Sequence, residues 1–117
     1  MNDNILDLKE FLDRVQNDKE LLLELFDIYI EDYAIKRKSL AEAIAKNDFE
    51  QVRNIAHSLK GASGNISAKN LREIFYKLEE MGKKGEIADS ASLLSQVDEQ
   101  FNLLEKRIQE VRAQYKA

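Results

Sequence analysis

The stretch Ala56-His57-Ser58-Leu59-Lys60-Gly61-Ala62-Ser63-Gly64-Asn65-Ile66 holds the only histidine of the protein and two of its four glycines. On a helix, His57, Lys60, Gly61 and Gly64 stand at i, i+3, i+4 and i+7 and therefore share one face. Ala56, Leu59 and Ser63 lie about 100° away and, with Val52 and Ile66, make an inward stripe. His57 is thus expected to point outward or to a rim, with the Lys60 cation exposed beside it. An imidazole is a good nucleophile near neutral pH because a large share of it is uncharged there. An ammonium one turn on can neutralise an anionic group. Each mid-helix glycine costs about 0.5–1 kcal/mol relative to alanine. Two such costs beside the lone histidine indicate that something must come close to that face. A lone histidine on a helix is more often an ordinary surface residue; the paired small residues and the adjacent lysine overturn that expectation here.

The elements that must position these residues are helices. Ile5, Leu8, Phe11, Leu12 and Val15 follow helical spacing and predict a short first helix. Asn17-Asp18 supplies a cap, with Glu20 strengthening the next N-terminus. Leu22, Phe26, Tyr29, Tyr33, Leu40 and Ile44 form the inward stripe of a long second helix, widened by Leu25 and Ile30. Lys36 and Arg37 interrupt that stripe, as at a bundle end or a polar rim. Asp48 can cap a third helix running from about Phe49 to Asn65. Ser67 is the candidate cap of a fourth, defined by Leu71, Ile74, Phe75, Leu78 and Met81 and ended by Gly82-Lys83-Lys84-Gly85, where lysine suits the dipole and glycine a positive φ. Leu94, Val97, Phe101, Leu104, Ile108, Val111 and Tyr115 step by three and four along the last helix, a coiled-coil-like seam. No alternating strand pattern or internal repeat is present. The expected fold is all-α, an antiparallel up-down-up-down four-helix bundle with a short N-terminal capping helix, one domain over residues 1–117. Two helical hairpins closing only by dimerisation are the bland alternative; four amphipathic helices suffice to close one core, so a monomer is preferred.

Composition removes several classes of function. With 117 residues the chain can build one core, and 34% charged against 44% hydrophobic residues suits a soluble helical protein. The absence of proline permits long helices, and the absence of cysteine excludes a disulfide framework, a thiolate metal site and a catalytic thiol. No apolar run approaches the roughly 18 residues of a membrane span, and no signal-peptide pattern opens the chain. A net charge of −4 argues against a nucleic-acid binder. A cytoplasmic protein that binds neither membrane nor nucleic acid is expected.

Helix geometry brings a carboxylate near the histidine. From His57 the third helix runs on by roughly 12 Å to Asn65, and the fourth returns by roughly 16 Å from Ala68 to Glu79, at 1.5 Å per residue. His57 and Glu79 therefore lie within about a turn of one level on adjacent helices. A carboxylate there can accept the Nδ1 hydrogen and leave Nε2 as an exposed lone pair. Spacing alone leaves equally open that Glu79 is one more solvated glutamate in Leu-Glu-Glu-Met.

His57-Ser58-Leu59-Lys60-Gly61-Ala62-Ser63-Gly64-Asn65-Ile66 resembles the signature of histidine-containing phosphotransfer (HPt) domains of two-component phosphorelays. Those domains place His, an apolar residue, Lys and Gly in this order, then a small residue before an apolar one. Leu71 and Leu78-Glu79 followed by Gly82 resemble the family's fourth helix, and the likeness covers essentially the whole chain. One departure is Ser67, where the family often has glycine; it touches the turn and not the reacting face. The resemblance implies a phosphocarrier in which His57 Nε2 takes a phosphoryl group from a phospho-aspartate of a response-regulator receiver domain and passes it to another receiver. It also implies that Glu79 orients the imidazole. Lys60 would place its ammonium near the phosphoryl oxygens, and Gly61 and Gly64 would leave room for the partner's loops. Arg53, four residues before His57, is added here as a docking charge for an acidic receiver pocket, although a solvated face is its commoner use. Implied partners are receiver domains and a hybrid sensor histidine kinase. No cofactor is expected on this chain, since the receiver supplies Mg²⁺.

Other chemistries fit less well. The chain has neither a phosphate loop nor a kinase motif set, so it is not an autokinase. The reactive histidine of a sensor kinase's dimerisation helix is typically followed by an acidic residue and soon by proline; here Ser58 follows, and proline is absent. A di-iron bundle needs Glu-x-x-His on two helices, whereas this chain has one histidine preceded at that spacing by Asn54. A metal site is therefore not expected. The remaining alternative is a non-catalytic helical-bundle adaptor that binds partner proteins.

Overall fold

The computed structural model describes residues 3–116. Five helices follow one another: α1 (Leu8–Arg14), α2 (Lys19–Ala45), α3 (Phe49–Asn65), α4 (Lys69–Lys84) and α5 (Ser90–Lys116). The last four form an antiparallel bundle in the cyclic order α2, α3, α4, α5, with α3 and α4 packed most closely. The body measures 46 × 21 × 20 Å.

Short polar side chains set the helix starts. Asp7 accepts from the Glu10 amide, Asp18 from Leu21 and Asp48 from Gln51, which satisfies amides that have no intrahelical partner. The apolar stripes meet in one core that includes Phe11, Phe26, Leu59, Phe75, Leu78, Val97 and Leu104. Tyr33 stacks on Phe101 with ring centres 3.7 Å apart. The buried hydroxyls of Tyr29 and Ser63 satisfy each other at 2.8 Å.

Two details differ from the sequence reading, and a third decides between two alternatives it left open. Ala43 and Leu93 are buried where Ile44 and Leu94 were expected; the latter pair is only partly buried. Lys36 and Arg37 mark a polar rim in mid-helix and not a bundle end. Arg37 holds Asp98 of α5 with two hydrogen bonds of 2.9 Å, and Lys36 reaches Ser58 of α3. Ser67 does not cap α4. The residue in the cap position is Ala68, which has no side-chain oxygen to offer. Ser67 adopts φ 63°, a left-handed conformation that favours glycine, and its hydroxyl donates to Glu10 of α1 at 2.7 Å.

That contact is one of several by which α1 covers the end of the bundle where α3 turns into α4. The Asp7 amide donates to the Ser67 carbonyl at 3.0 Å. The Arg14 guanidinium closes the last carbonyls of α3, at 2.7 Å from Gly64 O and 2.6 Å from Asn65 O. Lys69 pairs with Asp7 at 3.0 Å. The α3–α4 hairpin, which carries His57 and Glu79, is thereby pinned at its turn.

Candidate phosphoacceptor site

The cap at Asp48 starts α3 in the register that buries Val52, Ala56, Leu59 and Ser63. The same register turns His57 outward, with 67% of its side chain exposed. Glu79 belongs to the opposite kind of position. It lies on the buried stripe of α4 between Leu78 and Gly82, and only 5% of its side chain is exposed.

A glycine sets the distance between the two helices at this level. A Cβ at Gly82 would stand 2.7 Å from the Arg53 nitrogen and 2.9 Å from its Cα and Cβ. These atoms are mostly backbone and cannot give way. The missing side chain lets α4 lie directly on α3, one turn from both His57 and Glu79. Sequence reasoning took Gly82 as part of the helix end and missed this role. The structure separates the two glycines, since α4 continues to Lys84 and closes on Gly85 at φ 66°. A second glycine three residues earlier is not needed to end the helix.

Glu79 Oε2 lies 2.8 Å from His57 Nδ1. Burial pushes the Glu79 carboxyl up, but the Lys60 ammonium beside it and the hydrogen bond from His57 outweigh it and hold the group below its ordinary value. An ionised carboxylate can only accept, so the hydrogen of this contact belongs to Nδ1. The lone pair of the neutral ring is then on Nε2. The two ring nitrogens point in roughly opposite directions, so Nε2 faces away from α4.

Lys60 departs from expectation. It was expected to be exposed beside the imidazole, yet only 20% of its side chain is exposed, and its ammonium lies 2.6 Å from Glu79 Oε1. That oxygen is buried and receives no well-aligned hydrogen bond, so the contact is a charge pair made off the hydrogen-bond direction. The Tyr76 ring covers the ammonium from the other side at 5.5 Å. The physical reason is that a buried carboxylate next to a long cationic side chain draws the charge down from the surface. Both oxygens of Glu79 are thereby engaged, one by the imidazole and one by the ammonium.

The small residues divide in a similar way. A methyl group at Gly61 would meet nothing within 4 Å, so the surface one turn beyond His57 is open. Gly64 is not bare, because the Arg72 side chain lies across it, 3.2 Å from where a Cβ would stand. Arg53 is exposed and pairs with no carboxylate among the described residues. On the other flank of His57, Ser58 Oγ accepts from Lys36 Nζ at 2.6 Å. Sequence reasoning singled out Lys36 but could not place it across α3. Among the described residues no group of three or more His, Cys, Asp or Glu side chains is arranged to hold a metal ion. No described helix is long and apolar enough to cross a membrane.

The fold and site together can be set against known proteins. The family model described as Hpt domain matches residues 24–114. Histidine-containing phosphotransfer protein 2 of Arabidopsis thaliana is 24% identical over 114 residues, covering 95% of this chain and 72% of that protein. The crystal structure of histidine-containing phosphotransfer protein B from Pseudomonas aeruginosa PAO1 superposes with a TM-score of 0.87 at 26% identity, over 94% of this chain and 96% of that one. The HPT domain of a sensor hybrid histidine kinase from Shewanella has the same fold, with a TM-score of 0.80 at 17% identity over 97% and 98% of the two chains. The exposed histidine, the buried carboxylate behind it and the helical bundle that holds them agree with the family match, and the chain belongs to the Hpt domain family, the histidine phosphotransfer modules of two-component phosphorelays.

Proposed function

We propose that His57 Nε2 is the phosphoacceptor, taking the phosphoryl group from the aspartyl phosphate of a response-regulator receiver domain and passing it to a second receiver. A hybrid sensor kinase is the proposed source of the relay. The observation that carries this reading is the pairing of a ring 67% exposed with a buried carboxylate 2.8 Å from its Nδ1. In the forward step the Nε2 lone pair forms the N–P bond. The P–O bond to the receiver's aspartate breaks, and that carboxylate leaves with the electron pair. The imidazole keeps its Nδ1 hydrogen, and Glu79 supplies the counter-charge to the phospho-imidazolium. The return step reverses these bonds.

Phosphoryl transfer needs in-line access and charge neutralisation more than acid–base machinery. Gly61 supports access, because the surface beyond the ring is open. Lys60 is assigned to the charge of the site, acting from its place on Glu79. Gly64, with Arg72 across it, and Arg53, an exposed cation on the same face, are assigned to docking of an acidic receiver pocket. Mg²⁺ and the rest of the catalytic groups come with the receiver, so this chain needs no cofactor of its own. A monomer is supported by one core shared by all five helices, and a cytoplasmic place by the match to the Hpt domain family.

The test is incubation of the full chain with a panel of phosphorylated receiver domains. An acid-labile, base-stable phosphate on His57 is expected, and His57→Gln keeps its helical circular dichroism but takes none. A helical-bundle adaptor would bind receivers without gaining phosphate. Phosphate on the His57→Gln variant at the wild-type level would overturn the assignment.

A further inference from the structure

The ring geometry leaves the charge of the site incomplete on one side. Nδ1 is turned to Glu79 on α4, so Nε2 faces the other way, over the outer surface of α3. The Lys60 ammonium, at 2.6 Å from Glu79 Oε1, sits on the Nδ1 side. A phosphoryl group on Nε2 would carry close to two negative charges and three acceptor oxygens away from that cation.

The other flank holds a cation that the reading above does not use. Successive helical residues are about 100° apart, so His57 and Ser58 straddle the outward direction of α3, His57 toward α4 and Ser58 toward α2. Lys36 crosses from α2 and places its ammonium 2.6 Å from Ser58 Oγ, with Asp32 at 3.0 Å steadying it one turn earlier. A third of the Lys36 side chain is exposed, so the side chain is partly open to solvent. The charged groups around the ring are then Asp32 and Lys36 on α2, Arg53 and Lys60 on α3, and Glu79 on α4. Of the two lysines, Lys60 is engaged by the buried Glu79 carboxylate. Lys36 is held by a neutral hydroxyl and a surface carboxylate, both weak competitors for a cation near a phosphoryl dianion.

We propose that Lys36, held at Ser58 on the α2 flank, is a second cation of the phosphorylated site and pairs with the phosphoryl oxygens on His57 Nε2 while Lys60 stays with Glu79. The proposal rests on His57 being the phosphoacceptor and adds a residue of α2 to the site. It assigns Ser58 the task of keeping the ammonium within reach of its neighbour.

The experiment charges the full chain with potassium phosphoramidate, which transfers a phosphoryl group to free imidazole without a partner protein. The P–N bond of the reagent breaks, ammonia leaves, and the N–P bond to the ring forms. The phosphohistidine ³¹P resonance is then titrated against pH. A nearby cation opposes proton uptake by the phosphoryl-imidazole group, so Lys36→Met should raise the midpoint of the ³¹P titration, by about half a pH unit. Lys36→Arg should keep the wild-type midpoint, and Ser58→Ala should move it in the same direction as Lys36→Met but by less. A Lys36→Met midpoint equal to wild type would overturn the proposal and leave the phosphoacceptor reading standing. No phosphohistidine on the wild-type chain would overturn both, since an exposed ring with a free Nε2 must react as free imidazole does.

Discussion

Two glycines near His57 break the same rule of helix propensity for opposite ends. Gly61, one turn beyond the histidine on its own helix, faces open space, and an added methyl group would meet nothing within 4 Å. Gly82, on the neighbouring helix, has no room at all, because its missing side chain is replaced by the Arg53 backbone 2.7–2.9 Å from the Cβ position. One glycine leaves the surface beside His57 open, which the proposed function uses for the approach of a partner. The other lets α4 in from inside, and so brings the Glu79 carboxylate to the imidazole. The composition of a helix does not distinguish these uses; what faces the residue does.

Substitutions separate them, and the largest effect is expected at Gly82. Gly82→Val forces a side chain into backbone, so α3 and α4 must move apart. A loss of about 1–3 kcal/mol or more in urea unfolding is expected, together with loss of the His57–Glu79 contact. Unchanged stability would mean that the close approach does not set the register. Next comes Lys60→Met, which leaves the buried Glu79 Oε1 without its cation. It should cost about 1–3 kcal/mol, where an exposed lysine would cost almost nothing.

Glu79 also shapes the acid limb of stability. Its carboxyl is held below the ordinary value of 4.5 in the folded chain. The stabilisation is therefore present above that ordinary value and is lost as pH falls through the lowered folded one. Thermal melts of Glu79→Gln should show a shallower decline below about pH 4.5 than the wild type. The smallest effect on stability is expected at Gly61. Gly61→Leu should leave stability equal or raise it by about 0.5–1 kcal/mol, yet slow transfer from a saturating receiver. An unchanged rate would remove the outside-access half of the comparison.

Much of the bundle was legible in the sequence, because it follows from local rules. Asp18 and Asp48 cap the helices they were expected to cap. The stripe Val52, Ala56, Leu59, Ser63 is buried as its period requires. Residues at the edge of a stripe were read less well, as with Leu93 and Leu94, since a period of 3.6 does not rank neighbours 100° apart. Ser67 was misread because it closes α3 in a left-handed conformation, with its amide on the Gly64 carbonyl and that of Ala68 on the Ser63 carbonyl, which leaves Ala68 to start α4. At the site, His57 facing outward was legible from its own helix. The level of Glu79 was legible from helix rise, but which way it faced was not. The burial of Lys60, the contact of Gly82 with Arg53, and the reach of Lys36 to Ser58 all involve a second helix at a given rotation. Periodicity along one chain carries no information about that rotation.

The central claim is that Glu79 holds the Nδ1 hydrogen and leaves Nε2 free. The chain has one histidine, so a long-range ¹⁵N–¹H spectrum of the imidazole in mildly alkaline buffer reports this ring alone. The predicted pattern is a protonated Nδ1 and a bare Nε2, reverting toward the reverse tautomer in Glu79→Leu. A wild-type ring protonated on Nε2 would contradict the account, because the nitrogen assigned to receive the phosphoryl group would then have no lone pair to offer.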